Sequence, residues 1–299
     1  MPADSEILID GQTLTIAAVH QVAVRGRKAT LSGDARERML STRKVIQGIV
    51  ERNDVVYGVT TGFGKLSEVA IPPDRLAQLQ VNLIRSHAAG VGPLLPSREV
   101  RAMMLLRANV LAKGFSGARP ELVDRLTTML ACGVHPPIHE QGSVGASGDL
   151  APLAALGLSI IGEGQLVDAT GKVRGAADVL EECGIEPISL EPKEGITLIN
   201  GTQAHTAIAA LAVYDAYMLW HTAHVAGAMS LEALLGTPVA FDERIHDARG
   251  QAGQSKSAAL LRELLADSEI RESHRYGDPR VQDPYCLRCM PQVHGPVRD

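Results

Sequence analysis

The sequence predicts a mainly α protein, with a small mixed α/β N-terminal domain over residues 1–200 followed over 201–299 by the beginning of a long-helix bundle. Three observations lead there. Apolar residues recur at helical spacing over 202–235, longer than ordinary globular helices and typical of a bundle. Shorter helical patterns run over about 74–87, 98–113 and 120–131, whereas strand signals are short and confined to 7–16 and 165–175. With 299 residues, 45% apolar and 21% charged, the chain can bury a sizeable core in one large domain or two of ordinary size.

In chain order, 7–16 reads as two short strands around Asp10-Gly11, a hairpin signal, with a helical segment from about Thr15. Ser32 caps an amphipathic helix that carries Met39, Leu40, Val45, Ile46 and Ile49 on one face and ends near Asn53. Tyr57 opens YGVTTGFG, with three glycines in eight residues, which suits a loop with unusual backbone angles. Gly114 stops the helix of 98–113, and Pro120 stands in the first turn of the next. His135 and His139 flank Pro136-Pro137, which bars a helix and predicts a loop. The stretch 141–152 interrupts the helices with small residues. A hairpin around Thr170-Gly171 and a short helix over 176–183, closed by Gly184, precede the long helix.

Composition excludes several functions. A net charge of −5 is of the wrong sign for a nucleic-acid footprint, and 3% aromatic residues leave little for base stacking. Cys132, Cys183, Cys286 and Cys289 are too few and too unevenly spaced for a disulfide framework, and the acidic N-terminus does not read as a signal peptide, so a cytoplasmic location is expected. The apolar stretch 206–235 contains Asp215, His221, His224 and Glu232, costly in hydrocarbon, and reads as a buried bundle helix with no membrane role. No metal site is expected. Cys286 and Cys289 have CxxC spacing without a second pair, and His221 and His224 lack a carboxylate companion. The loop ending at Gly64-Lys65 departs from a phosphate-binding loop, because five residues follow Gly58 and Leu66 follows the lysine.

Ala146-Ser147-Gly148 offers chemistry on its own backbone. A compact loop can press the Gly148 nitrogen onto the Ala146 carbonyl carbon, an approach open to a residue with no Cβ. Ring closure and loss of two waters would leave an exocyclic methylidene on a five-membered imidazolone, a strong electrophile that needs no external cofactor. By these residues alone a flexible Gly/Ser turn is the favoured reading, because such tripeptides are common in loops.

The wider context is more specific. GSVGASGDLAPLA closely resembles the signature of the aromatic amino acid lyase family, and YGVTTGFG, NLIRSHAAGVG, LINGTQ and QDPYCLRCMPQVHG resemble that family's other blocks in the same order. The resemblance runs from about residue 5 to the end and covers an N-terminal portion of the family's length. It implies that Ala146, Ser147 and Gly148 form 4-methylidene-imidazol-5-one (MIO) autocatalytically. Ser86-His87 resembles the pair found in members that act on histidine, and His87 can exchange a hydrogen bond with an imidazole. The implied reaction is elimination of ammonia from L-histidine to give trans-urocanate, through either an amine or a ring adduct.

By the same resemblance Tyr57 removes the β-proton, a role that calls for nearby positive charge or dipoles because an unperturbed tyrosine titrates near about 10. Asn200 would bond the electrophile or the substrate amine, or else cap the long helix. Arg288 offers a planar fork to the substrate carboxylate. Tyr285 and Gln282 would line the pocket and assist ring formation or proton transfer. Asp149 would support the loop, or cap a helix that starts near Leu150.

The family's site is shared among subunits of a homotetramer. Its remaining bundle helices, with a carboxylate and an aromatic that contact substrate, would lie beyond Asp299. The expectation is therefore an N-terminal portion of a longer enzyme or a naturally shortened relative with reduced or no lyase activity. A non-catalytic assembly subunit, and a tyrosine or phenylalanine lyase or aminomutase, are the alternatives.

Overall fold

The structure, a computed structural model, describes residues 6–299. The chain divides into two compact units, one reaching to Ala212 and the other Val213–Asp299, so that the division falls inside the long helix.

The first unit begins with β1 (Ile7–Ile9), α1 (Ile16–Ala23), β2 (Ala29–Leu31) and α2 (Gly33–Glu51). The expected hairpin around Asp10-Gly11 does not form: β1 pairs in parallel with β2 across α1, with Ile7 opposite Ala29 and Ile9 opposite Leu31. Asp10-Gly11 is still a turn, but the Asp10 carboxylate accepts the Gln12 and Thr13 amides and leads directly into α1, whose cap is Thr15. Ser32 caps α2 through the Ala35 amide, as its sequence signature predicts.

Next come α3 (Leu76–His87), β3 (Val91–Leu94), α4 (Ser97–Ala112), α5 (Pro120–Ala131), β4 (His139–Gln141) and α6 (Leu150–Ile160). Of these, α3, α4 and α5 match the predicted patterns closely. α4 is the centre of this unit, with Met103, Met104, Ala108 and Leu111 fully buried and α1 and α5 packed on its sides. His135 and His139, expected in a loop, are in extended structure instead: His135 bridges Val167 and His139 opens β4. The two prolines bar a helix but suit extended backbone.

The hairpin β5 (Gln165–Val167) and β6 (Val173–Gly175), α7 (Ala176–Glu182), α8 (Glu194–Ile199) and α9 (Gln203–Ala233) follow. α9 confirms the long helix, but it is not the buried helix expected. Met218, Leu219, Val225 and Met229 are exposed on it. The second unit adds α10 (Glu243–Asp247), α11 (Ala252–Leu264), α12 (Glu269–Ser273), α13 (Tyr285–Arg288) and α14 (Met290–Arg298). Its core gathers Leu231, Phe241, Leu261, Leu287 and Met290. There His224 is buried and satisfied: its Nδ1 faces the Trp220 carbonyl at 2.7 Å and its Nε2 accepts the Ser257 hydroxyl at 2.5 Å.

Candidate active site

The loop 142–149 is held at both ends. At its start β4 pairs with β3, placing Val91 opposite Gln141, and a Cβ on Gly142 would lie 3.2 Å from the Gly90 Cα. The segment just after His87 is thereby packed against the loop. At its end the Ser143 hydroxyl donates to Asp149 at 2.6 Å, which closes the loop on itself. Between these ties Ala146 and Ser147 are exposed while Gly148 is buried.

Asp149 is 1% exposed, and its carboxylate is the anchor. It caps a helix, but not the one that starts at Leu150: no side-chain bond is made to α6. Its Oδ2 accepts the Ala204 and His205 amides at 2.8 and 3.2 Å, in the first turn of α9, and its Oδ1 lies 3.0 Å from His205 Nδ1. Asp149, not Asn200, therefore satisfies the orphan amides of the long helix, where the helix dipole also favours an anion. Burial pushes its pKa up, but hydrogen bonds from Ser143 and from the His205 side chain and backbone outweigh it and hold the carboxyl below its ordinary value.

The sign of the linkage follows. A depressed folded-state pKa contributes stability at pH values above the ordinary carboxylate range, and that contribution is lost as pH falls through the folded value. Asp149→Ala is expected to cost about 1–3 kcal/mol near neutrality, as loss of a cap and of buried hydrogen bonds. The gap in melting temperature between wild type and variant should hold down to about pH 4 and narrow below it. A gap that stays constant through the acid range contradicts this assignment.

Asn200 follows α8 directly and lies beside the tripeptide. A Cβ built on Gly148 would be 2.6 Å from the Gly201 nitrogen, 2.8 Å from the Gly201 oxygen and 3.1 Å from Asn200 Oδ1. The Asp149 amide donates to the Gly201 carbonyl at 2.6 Å. Asn200-Gly201 is thus the wall behind the tripeptide, in contact distance of it.

α3 packs on both α6 and α8. A Cβ on Gly195 would lie 2.7 Å from the Gln80 carbonyl, so a glycine there permits the approach, and Gln80 Oε1 accepts the Gly195 and Ile196 amides. His87, the last residue of α3, is half-buried, and its Nδ1 faces the Leu83 carbonyl at 2.8 Å. A carbonyl oxygen only accepts, so this contact is made by an Nδ1–H. The 57–64 loop is laced by its threonines, Thr60 to the Val56 amide and Asp54 carbonyl, Thr61 to the Gly58 amide. Tyr57 is exposed, edge-on to Phe63 at 6.1 Å, and the Gly58 Cβ position lies 3.9 Å from Ile196 of α8.

Gln282, Tyr285 and Arg288 all lie in the second unit, with Gln282 exposed. Arg288 lies over the Tyr285 ring at 4.4 Å, a cation–π contact that fixes the plane of its fork. Asp283, which sequence reasoning passed over, ties this segment down: its Oδ2 accepts the Thr237 amide at 2.6 Å. Ser143, His205 and Arg107 were also missed. Ser143 and Asp149 belong to one short motif, so their spacing was a usable signal.

The chain belongs to the aromatic amino acid lyase family, whose model matches residues 14–299. It is 55% identical over 291 residues to the histidine ammonia-lyase of Koribacter versatilis (strain Ellin345), across 97% of this chain and 56% of that protein. To the histidine ammonia-lyase of Anaeromyxobacter sp. (strain K) it is 51% identical over 300 residues, across 98% and 59%. The crystal structure of histidine ammonia-lyase from Trypanosoma cruzi superposes with a TM-score of 0.85 at 41% identity, over 98% of this chain and 54% of that one. Tyrosine aminomutase from Streptomyces globisporus gives 0.88 at 37%, over 99% and 59%. The chain thus spans little more than half the length of these relatives.

Proposed function

We propose that this chain is the electrophile-bearing part of an ammonia-lyase that converts L-histidine to trans-urocanate, with MIO formed from Ala146, Ser147 and Gly148 and no external cofactor. The observation that carries this reading is the seat of Gly148, pressed on the Gly201 backbone with no room for a side chain, beside an exposed Ala146-Ser147. The methylidene, once formed, would draw electrons from the substrate, so that the amine leaves and the β-proton acidifies.

The remaining roles belong to side chains. Tyr57 would take the β-proton at its phenolic oxygen. His87 would accept the imidazole N–H at Nε2, since Nδ1 is committed to Leu83. Asn200 would orient the amine at the tripeptide. Arg288 would hold the carboxylate in its fork, with Tyr285 stacked on it and Gln282 alongside. We assign the work to a cytoplasmic homotetramer, in line with four free cysteines and with exposed apolar residues on α9 such as Leu219 and Met229. Those same residues also support a second reading, an assembly subunit without turnover of its own.

The test is an intact-mass measurement on chain taken from its native assembly, joined to the ultraviolet band of urocanate on addition of L-histidine. A deficit of two waters with turnover supports the proposal, a deficit without turnover favours the assembly subunit, and the full encoded mass overturns the ring. Specificity has its own test. His87→Phe in the same assembly is expected to lower the preference for L-histidine over L-phenylalanine, as a ratio of kcat/KM, by at least about 100-fold, because an unmet imidazole N–H is strongly penalised. An unchanged ratio removes His87 from the specificity role.

A further inference from the structure

Arg107 stands in the middle of α4, among Met103, Met104, Ala108 and Leu111, and is 2% exposed. A buried guanidinium is costly without partners, and among the described residues no carboxylate pairs with it. Its acceptors are neutral oxygens. Nη1 donates to Gln203 Oε1 at 2.6 Å and to the Asn200 carbonyl at 3.2 Å, and Nη2 donates to the Thr197 carbonyl. Burial draws its pKa down to about 10, so it keeps its charge at neutral pH.

All three acceptors lie in 197–203, the segment that ends α8, turns through Asn200-Gly201 and opens α9. Nη1 is so close to this turn that a Cβ on Gly201 would meet it at 2.1 Å. The same Gly201 abuts Gly148 and accepts the Asp149 amide. A continuous set of contacts therefore runs from the guanidinium to the tripeptide.

We propose that Arg107 is a positioning residue for ring closure: its fork holds the 197–203 turn rigid, so that Asn200 and Gly201 form a fixed wall keeping the Gly148 nitrogen against the Ala146 carbonyl carbon. In that step the bond from the Gly148 nitrogen to the Ala146 carbon forms. The Ala146 oxygen leaves as water with the hydrogens of the Gly148 and Ser147 nitrogens. Ser147 then loses its hydroxyl and α-hydrogen as the second water, which leaves its Cα–Cβ double bond. No net oxidation or reduction occurs, and no co-reactant is consumed. An amide nitrogen is a poor nucleophile, so closure depends on enforced proximity, and a wall displaced by a fraction of an ångström slows it.

The proposal rests on the ring-forming reading above, and the experiment separates the two. Chains are made by cell-free translation and their intact mass is followed over time for wild type, Arg107→Lys and Gln203→Met. Leu122→Ala, a core change in α5, serves as a control for destabilisation, with melting temperatures measured throughout. Lysine keeps the charge but offers one nitrogen in place of a fork, and Gln203→Met removes one acceptor while Arg107 stays. Both variants are expected to lose their two waters about tenfold more slowly than the control, or slower still, at comparable melting temperature. Closure at the control's rate in either folded variant overturns the proposal. Should Arg107→Lys not fold, Gln203→Met decides alone. A wild-type chain that keeps both waters in its native assembly as well overturns the ring-forming reading itself.

Discussion

A Gly148→Ala chain is expected to keep its helices and also to keep both waters, so that its intact mass equals the encoded one. The added Cβ would stand 2.6 and 2.8 Å from the Gly201 nitrogen and oxygen, backbone atoms that cannot rotate away. The Gly148 φ of +154° adds strain, because L side chains rarely adopt it. Relief requires one side to move. The Gly201 side is tied by Arg107 through the Asn200 carbonyl and by the Asp149 amide, so the tripeptide is displaced. The stability cost is about 1–3 kcal/mol, typical of overpacking and strain. Circular dichroism, a melting curve and an intact mass together check it. A deficit of two waters in this variant would show that the close seat of Gly148 is not needed for closure.

Ser147→Ala is the complementary case, with chemistry lost and structure kept. Residue 147 is exposed, so the melting temperature should barely change, in keeping with surface substitutions within about 0.5 kcal/mol. Without the hydroxyl there is no second water to leave and no methylidene. Ammonia is a poor leaving group and the β-proton is weakly acidic, so the native assembly should lose at least about 10³-fold in kcat, or roughly 4 kcal/mol of transition-state stabilisation. Urocanate formation by initial rate measures it. A variant that retains wild-type turnover would mean that the tripeptide is not the electrophile.

Much of the fold was legible because helix spacing and punctuation are local. Pro120 opens α5, Ser32 and Thr15 cap their helices, and 202–235 reads as one long helix because no breaker interrupts it. The misreadings came from partners distant in sequence. Asp10-Gly11 carries hairpin chemistry, yet the strand that satisfies β1 comes from beyond α1. His135 and His139 were correctly denied a helix, but extended backbone needed Val167 and β3 to pair with.

The candidate site divides along the same line. Tyr57, His87, Asn200, Gln282, Tyr285 and Arg288 stood out through their blocks, and the chemistry of Ala146-Ser147-Gly148 follows from three adjacent residues. Arg107 did not stand out. In the string AMMLLRANVLA its charge resembles that of any helix surface, and only the packing of α4 shows that it is buried.

The sequence by itself thus determined the helices, the family and the group that would react, since each depends on neighbours along the chain. Tertiary structure alone decided which groups press on it. Asp149 caps α9 rather than the helix it precedes, Gly201 becomes the wall behind Gly148, and Arg107 braces that wall. The reason is that burial and hydrogen-bond partnership are properties of a packed interior, set by segments far apart in sequence that must satisfy one another's polar groups where water is excluded.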